Sequence, residues 1–119
     1  MATTIASPRV DDHFENRPAV LRNAYDAVLA ASRRFGPVKV EPKKTSIHLV
    51  RVSAFAGVAV RKATIVLTIK VPEDIRSSRI GKHERASANR WHLETRLQGP
   101  DDVDKELIGW LAAAYDLAD

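Results

Sequence analysis

The stretch "TIVLTIKV", Thr64 to Val71, alternates with a period of two: Ile65, Leu67, Ile69 and Val71 fall on one side, Thr64, Val66, Thr68 and Lys70 on the other. Side chains of an extended strand point to opposite faces in turn, so the pattern predicts a half-buried β-strand. The segments before it have the same character. Val38 and Val40 open an extended stretch in which Pro42 marks a break or an edge position, because proline cannot donate to a ladder. "TSIHLVRV" (residues 45–52) and "FAGVAVRK" (residues 55–62) follow, with links of only two or three residues between successive strands. Links that short cannot hold a parallel crossover, so these strands are expected to form an antiparallel meander. Within residues 45–52 the facing stays open, since Ile47 and Leu49 argue for one side and Val50 and Val52 for the other.

Helical periodicity brackets the strands. In "NRPAVLRNAYDAVLAASRRFG", Leu21, Tyr25, Val28 and Ser32 recur at helical spacing, with Ala24 and Leu29 beside them. Pro18 suits the first turn, Arg33 and Arg34 suit the last, and Gly36-Pro37 ends the helix. A second helix is expected from about Asp101 to Leu117, with Val103, Leu107, Trp110, Leu111, Ala114 and Leu117 tracing its apolar stripe. Asp101, Asp102, Asp104 and Glu106 crowd its first turns, where the helix dipole favours negative charge, so they read as capping groups. "WHLETRLQ" before this helix alternates as a last strand. Residues 72–90, "PEDIRSSRIGKHERASANR", show no clean period and read as a long basic loop.

The expectation is a two-layer α+β domain: N-terminal helix, antiparallel meander of about four to five strands, C-terminal helix, both helices on one sheet face. At 119 residues it makes one domain, 1–119, with residues 1–12 as a loose N-terminal arm. Both helices should cover Ile65, Leu67, Ile69, Leu93 and Leu97. His48, Arg61, Thr64, Thr68, Lys70, His92 and Arg96 would lie on the opposite, open face.

Charge is unevenly spread along this frame. Residues 38–98 carry thirteen Lys/Arg against five Asp/Glu, a net of +8, whereas residues 99–119 carry one against six, a net of −5. A basic middle suggests an anionic partner, although the two regions can also neutralise each other in the fold. Pro42-Lys43-Lys44-Thr45 reads first as a turn guarding a sheet edge and second as an anion contact. The second reading gains from Arg61-Lys62, because a meander brings the two turns to one sheet end. The candidate anion-binding set is therefore Lys43, Lys44, Thr45, Arg61 and Lys62, with Arg76, Arg79 and Lys82 of the 72–90 loop as further contacts.

The order and spacing of "DDHFENRP", "VEPKKTSIHL", "FAGVAVRKATIVLTIKV" and "DDVDKELIGWLAAAYDLA" resemble the bacterial domain-of-unknown-function family numbered 5655, from about His13 to Ala118. The resemblance implies a small α+β domain, often alone and sometimes fused behind others, nuclease-like ones included; it brings no established activity. More distantly, the helix–meander–helix order is similar to bacterial domains described as frataxin-like iron chaperones.

Other chemistries find little support in the residues. The chain has no cysteine, which excludes disulfides, thiolate metal sites and a cysteine nucleophile. Its longest apolar-or-glycine run, Ala54 to Val60, falls far short of the roughly 20 residues of a membrane helix, and no signal-peptide stretch opens the chain. A soluble cytoplasmic protein with no membrane contact is expected. His13, His48, His83 and His92 have no metal-ligand spacing, so no metal and no cofactor is expected. Iron chaperoning would need an exposed carboxylate ridge, and Asp101, Asp102, Asp104 and Glu106 are its only candidates. "RIGKHER" lacks the spacing of a phosphate-binding loop, and no serine or carboxylate pair stands in a catalytic arrangement, so no catalytic residue is assigned. The favoured expectation is a small non-catalytic module that contacts an anionic ligand, nucleic acid included, weakly and with strong salt dependence. An enzyme of undetected type and an iron-binding chaperone stay as alternatives.

Overall fold

The protein is described by a computed structural model over residues 7–119. A short helix α1 (Val10–Phe14) precedes α2 (Ala19–Arg33); six strands follow, then α3 (Lys105–Leu117). The strands are β1 (Lys39–Pro42), β2 (Ile47–Val50), β3 (Ala54–Val60), β4 (Ile65–Val71), β5 (Ile80–Ser87) and β6 (Arg90–Leu97). Every pairing is antiparallel, in the order β1-β2-β3-β4-β6-β5. The first four strands are the expected meander, and Pro42 sits on the outermost one, where a missing N–H leaves no ladder bond unmade.

Cross-strand register assigns the faces. Ile65, Leu67 and Ile69 pair with Val60, Val58 and Ala56 on one side and with Leu97, Thr95 and Leu93 on the other. With Ile47 and Leu49 these residues form the buried face, on which Leu21, Tyr25 and Val28 of α2 and Leu107, Leu111 and Ala114 of α3 close the core. Each of the Val, Leu and Ile side chains among them taken fully from water stabilises the fold by about 1.5–3 kcal/mol. Both helices thus cover one face, and the open question in β2 is settled in favour of Ile47 and Leu49. Val52 leaves the sheet and is 75% exposed. A bulge explains the conflict: Leu49 faces Ala56 and Val50 faces Ala54, so Phe55 is an extra residue on β3. Phe55 is fully buried and meets the Tyr115 ring edge-on at 5.3 Å.

Four expectations need correction. The sheet has six strands, because residues 80–87, read as part of the 72–90 loop, form β5 against β6. Only Ile80 of that strand is buried; an edge strand solvated on both faces has no reason to alternate, so its sequence shows no period. β6 rather than β5 lies beside β4, which makes the last two strands a hairpin laid against the meander with β5 outermost. Residues 10–12 of the expected 1–12 arm belong to helix α1, anchored by Phe14 against Tyr25 at 5.3 Å, whereas residues 1–6 lie outside the described residues. The last helix starts at Lys105, after a separate 3-10 turn at Pro100–Asp102.

Candidate functional site

The meander brings the β1–β2 turn (residues 43–46) and the β3–β4 turn (residues 61–64) to one end of the sheet, two strand spacings or about 10 Å apart. Both turns close with a backbone hydrogen bond, Lys43 N–H to the Ser46 carbonyl at 2.7 Å and Arg61 N–H to the Thr64 carbonyl at 2.8 Å. Lys43, Lys44, Thr45, Arg61 and Lys62 are all exposed there. Lys43 lies 3.5 Å from Glu41, which also meets Lys39 at 3.3 Å. The hydrogen bond from Lys39, aided by the Lys43 charge, holds the Glu41 carboxyl below its ordinary range. Among the described residues Lys44, Arg61 and Lys62 have no carboxylate partner.

The same end carries a cation left out of the anion set inferred from sequence. Arg96 pairs with Val66, one residue in from the β3–β4 turn, on the face away from the helices, and is exposed without an ion pair among the described residues. Its face follows from the alternation of "WHLETRLQ"; its position along the sheet needs the β4–β6 register.

His13 ties α1 to this end by donating from Nε2 to the Lys43 carbonyl at 2.8 Å. Pro8, Asp12, His13, Lys43 and Lys44 line a shallow hollow there of about 230 Å³. Arg61 and Lys62 do not line it.

The proposed loop contacts are dispersed by the structure. Arg79 is committed inside the molecule: Nη1 donates to Asp104 Oδ1 at 2.9 Å and Glu106 Oε1 at 3.1 Å, Nη2 donates to the Asp102 carbonyl at 2.7 Å, and the guanidinium lies 5.4 Å from the Trp110 ring. Lys82, on β5, stands 3.9 Å from both Glu84 and Glu94. Arg76 is exposed in the β4–β5 link. Three of the four acidic residues read as capping groups are occupied too, Glu106 by Arg79. Asp104 caps α3 by accepting the Leu107 N–H at 3.0 Å, and Asp102 accepts the Gln98 N–H at 2.7 Å. No group of three or more His, Asp or Glu side chains gathers as metal ligands among the described residues.

A second feature occupies the uncovered sheet face. The register sets His48, Gly57, Thr68 and Glu94 in one row across β2, β3, β4 and β6. Gly57 leaves a gap in that row, and Ala54 and Ala59 extend a floor of small residues beside it. The result is a hollow of about 200 Å³ whose polar groups are Ser46, His48, Thr68 and Lys70. Burial and, after it, the charges of Lys43 and Lys70 push the His48 pKa below 6.5, so the imidazole is neutral at pH 7. His92 lies on the same face in another row, opposite Lys70 and Glu84, not against His48. His83 donates from Nδ1 to Asp74 Oδ1 at 2.6 Å and draws the Asp74 carboxyl down.

The sequence model of the domain of unknown function DUF5655 matches residues 10–118, nearly the whole chain. The chain belongs to that family. No curated protein and no solved structure matches it. Among the described residues no helix is long and apolar enough to cross a membrane.

Proposed function

We propose that the domain is a non-catalytic binding module for a phosphate-bearing ligand, contacted through the basic sheet end. A single observation carries this reading: Lys44, Arg61, Lys62 and Arg96 are exposed at one end of the sheet with no carboxylate partner among the described residues. Several cations elsewhere are neutralised internally, Arg22 by Asp11 and Asp26, Arg79 by Asp104 and Glu106, and Lys82 by Glu84 and Glu94, whereas Arg33, Arg34, Arg76 and Arg85 are exposed without such a partner among the described residues but are not gathered at one sheet end. Unpaired cations spaced over two adjacent turns suit a ligand with several phosphates, a single-stranded oligonucleotide being the simplest. Base stacking plays little part, because Phe55 is buried and Trp91 shares the register face of Val71 and Leu93. Affinity would come from charge, without sequence reading. Arg79 is omitted from the contact set in favour of Arg96. The reading places this basic patch in a bacterial cytoplasmic protein, and the absence of cysteine is compatible with that compartment.

The test is an amide-shift titration with a short single-stranded oligonucleotide at low salt. It uses the wild type, Lys43→Ala/Lys44→Ala and Arg61→Ala/Lys62→Ala. Shifts centred on residues 42–46, 60–64 and 96, reduced in either double variant, are expected. Absence of shifts, or shifts spread evenly over every basic residue, would overturn the reading.

A further inference from the structure

The hollow on the uncovered sheet face plays no part in the phosphate reading. Its shape follows from residue choice on the middle strands. Glycine and alanine on β3 remove the side chains that would otherwise fill the face between His48 and Thr68, leaving about 200 Å³ open. The gap is not forced by backbone crowding: a Cβ at Gly57 would meet only His48 Cδ2, at an ordinary 3.9 Å. The floor is apolar, and the polar groups stand around it. Lys70 is half-buried at the rim and has no carboxylate or hydrogen-bond partner among the described residues. An ammonium held beside an apolar floor without a counter-ion favours a ligand that brings both an anion and an apolar body. Ser46 and Thr68 add hydroxyls, and the His48 ring offers an edge against which a planar group can lie.

We propose that this hollow binds a small aromatic carboxylate, its ring seated over Gly57 and Ala54 and its carboxylate paired with Lys70. Size sets the class. A dry cavity of about 150 Å³ accommodates a benzene ring, so a hollow of about 200 Å³ takes one ring with a single acidic substituent. Lys70 lies at the end of β4 away from Arg61 and Lys62, so the carboxylate contact is separate from the basic sheet end, which the hollow approaches only through Ser46 and Ala59.

Benzoate serves as the probe, with benzamide as its uncharged counterpart of the same shape, followed by amide and methyl NMR shifts on the full chain at neutral pH. Benzoate should move the signals of His48, Ala54, Gly57, Ala59 and Thr68 in a saturable way. Benzamide should bind about tenfold more weakly, the factor corresponding to about 1.4 kcal/mol of charge-assisted bonding. Lys70→Gln should remove the difference between the two probes, and Gly57→Val, which fills the gap, should abolish both. Lys43→Ala/Lys44→Ala should leave benzoate binding intact, which separates this site from the phosphate reading. Equal binding of benzoate and benzamide, benzoate shifts that survive Gly57→Val, or no shift up to the solubility limit would overturn the proposal. Shifts of these same signals that follow protein concentration instead of added benzoate would assign the face to a second copy of the chain and overturn it equally.

Discussion

Arg79 and Asp104 share one carboxylate oxygen with the helix they hold: Oδ1 of Asp104 accepts both Arg79 Nη1 at 2.9 Å and the Leu107 N–H at 3.0 Å. The cap that starts α3 is thereby bolted to the link leading into β5. Asp104→Ala should lower stability by about 1 kcal/mol, within the usual range for a lost N-cap. Asp104→Asn should keep most of that contribution, since an amide oxygen still caps. The partly exposed ion pair adds less, so a double-mutant cycle of Asp104→Asn with Arg79→Met should return a coupling of about 0.5–1 kcal/mol in chemical denaturation. A coupling of zero would mean that the cap acts alone.

Gly36 ends the turn after α2 with φ of 155°, a conformation that side chains rarely adopt, and a Cβ there would collide with the Tyr115 hydroxyl. That hydroxyl donates to the Pro37 carbonyl at 3.0 Å and joins the two helix C-termini. Gly36→Ala should therefore cost about 1–3 kcal/mol from backbone strain alone. Gly81→Ala, with nothing within 4 Å of the new methyl, should change stability by less than about 0.5 kcal/mol. Thermal midpoints of the two variants compare them directly.

Leu67 and Arg85 mark the extremes of the sheet. Leu67 is fully buried at the centre of β4, and Leu67→Ala should cost about 2–5 kcal/mol. Arg85, exposed on β5 about 6.0 Å from the Trp91 ring, should tolerate alanine with a loss under about 1 kcal/mol. Native-state hydrogen exchange should follow the same gradient, slow across β3 and β4 and faster along β5.

This gradient also explains how much of the fold was legible in the residues. Strands with one buried face declare themselves by alternation, and in β4 the core-facing Ile65, Leu67, Ile69 and Val71 were read from it, although Val66 on the other face is buried too. Helix α2 was equally plain, as Leu21, Tyr25, Val28 and Ser32 all lie inside. β5 was invisible because only Ile80 has a core to face. Tyr115 was missed because its partners, Phe55 turned inward by the bulge, Phe35 and the Pro37 carbonyl, come from distant parts of the chain. At the candidate site the meander sufficed to bring Lys43-Lys44 and Arg61-Lys62 to one end. Arg79 could not be withdrawn, nor Arg96 added, without the pairings of loop to helix and of β4 to β6.

The pH dependence of stability has two separable parts. The Leu107 N–H first, and Arg79 second, lower the Asp104 pKa below 3.8 in the fold, so its contribution is complete above the ordinary carboxylate value and is lost as pH falls through the lower folded value. Burial, and then Lys43 and Lys70, lower the His48 pKa below 6.5. The unfolded chain binds the His48 proton more readily, so stability is full above pH 6.5 and declines as pH falls from there through the folded value. In calorimetric midpoints against pH, His48→Gln should flatten the upper step and leave the acid one, whereas Asp104→Asn should reduce the acid step, which Glu41 and Asp74 share, and leave the upper one. A single step unaffected by His48→Gln would contradict the electrostatic picture of the open face.

The central claim, that the basic sheet end grips phosphates, is tested most directly by the salt dependence of oligonucleotide binding. Each phosphate neutralised on a single strand contributes a slope of about −0.7 in log K against log salt. Three or four contacts from Lys43, Lys44, Arg61, Lys62 and Arg96 should give a wild-type slope of about −2 to −3 by that relation. Lys43→Ala/Lys44→Ala should reduce its magnitude by about 1.4, and Arg96→Ala by about 0.7. Arg79→Met, which alters only an internally paired cation, should leave the slope unchanged. A wild-type slope near zero, or one that the Lys43/Lys44 double variant does not alter, would contradict the account.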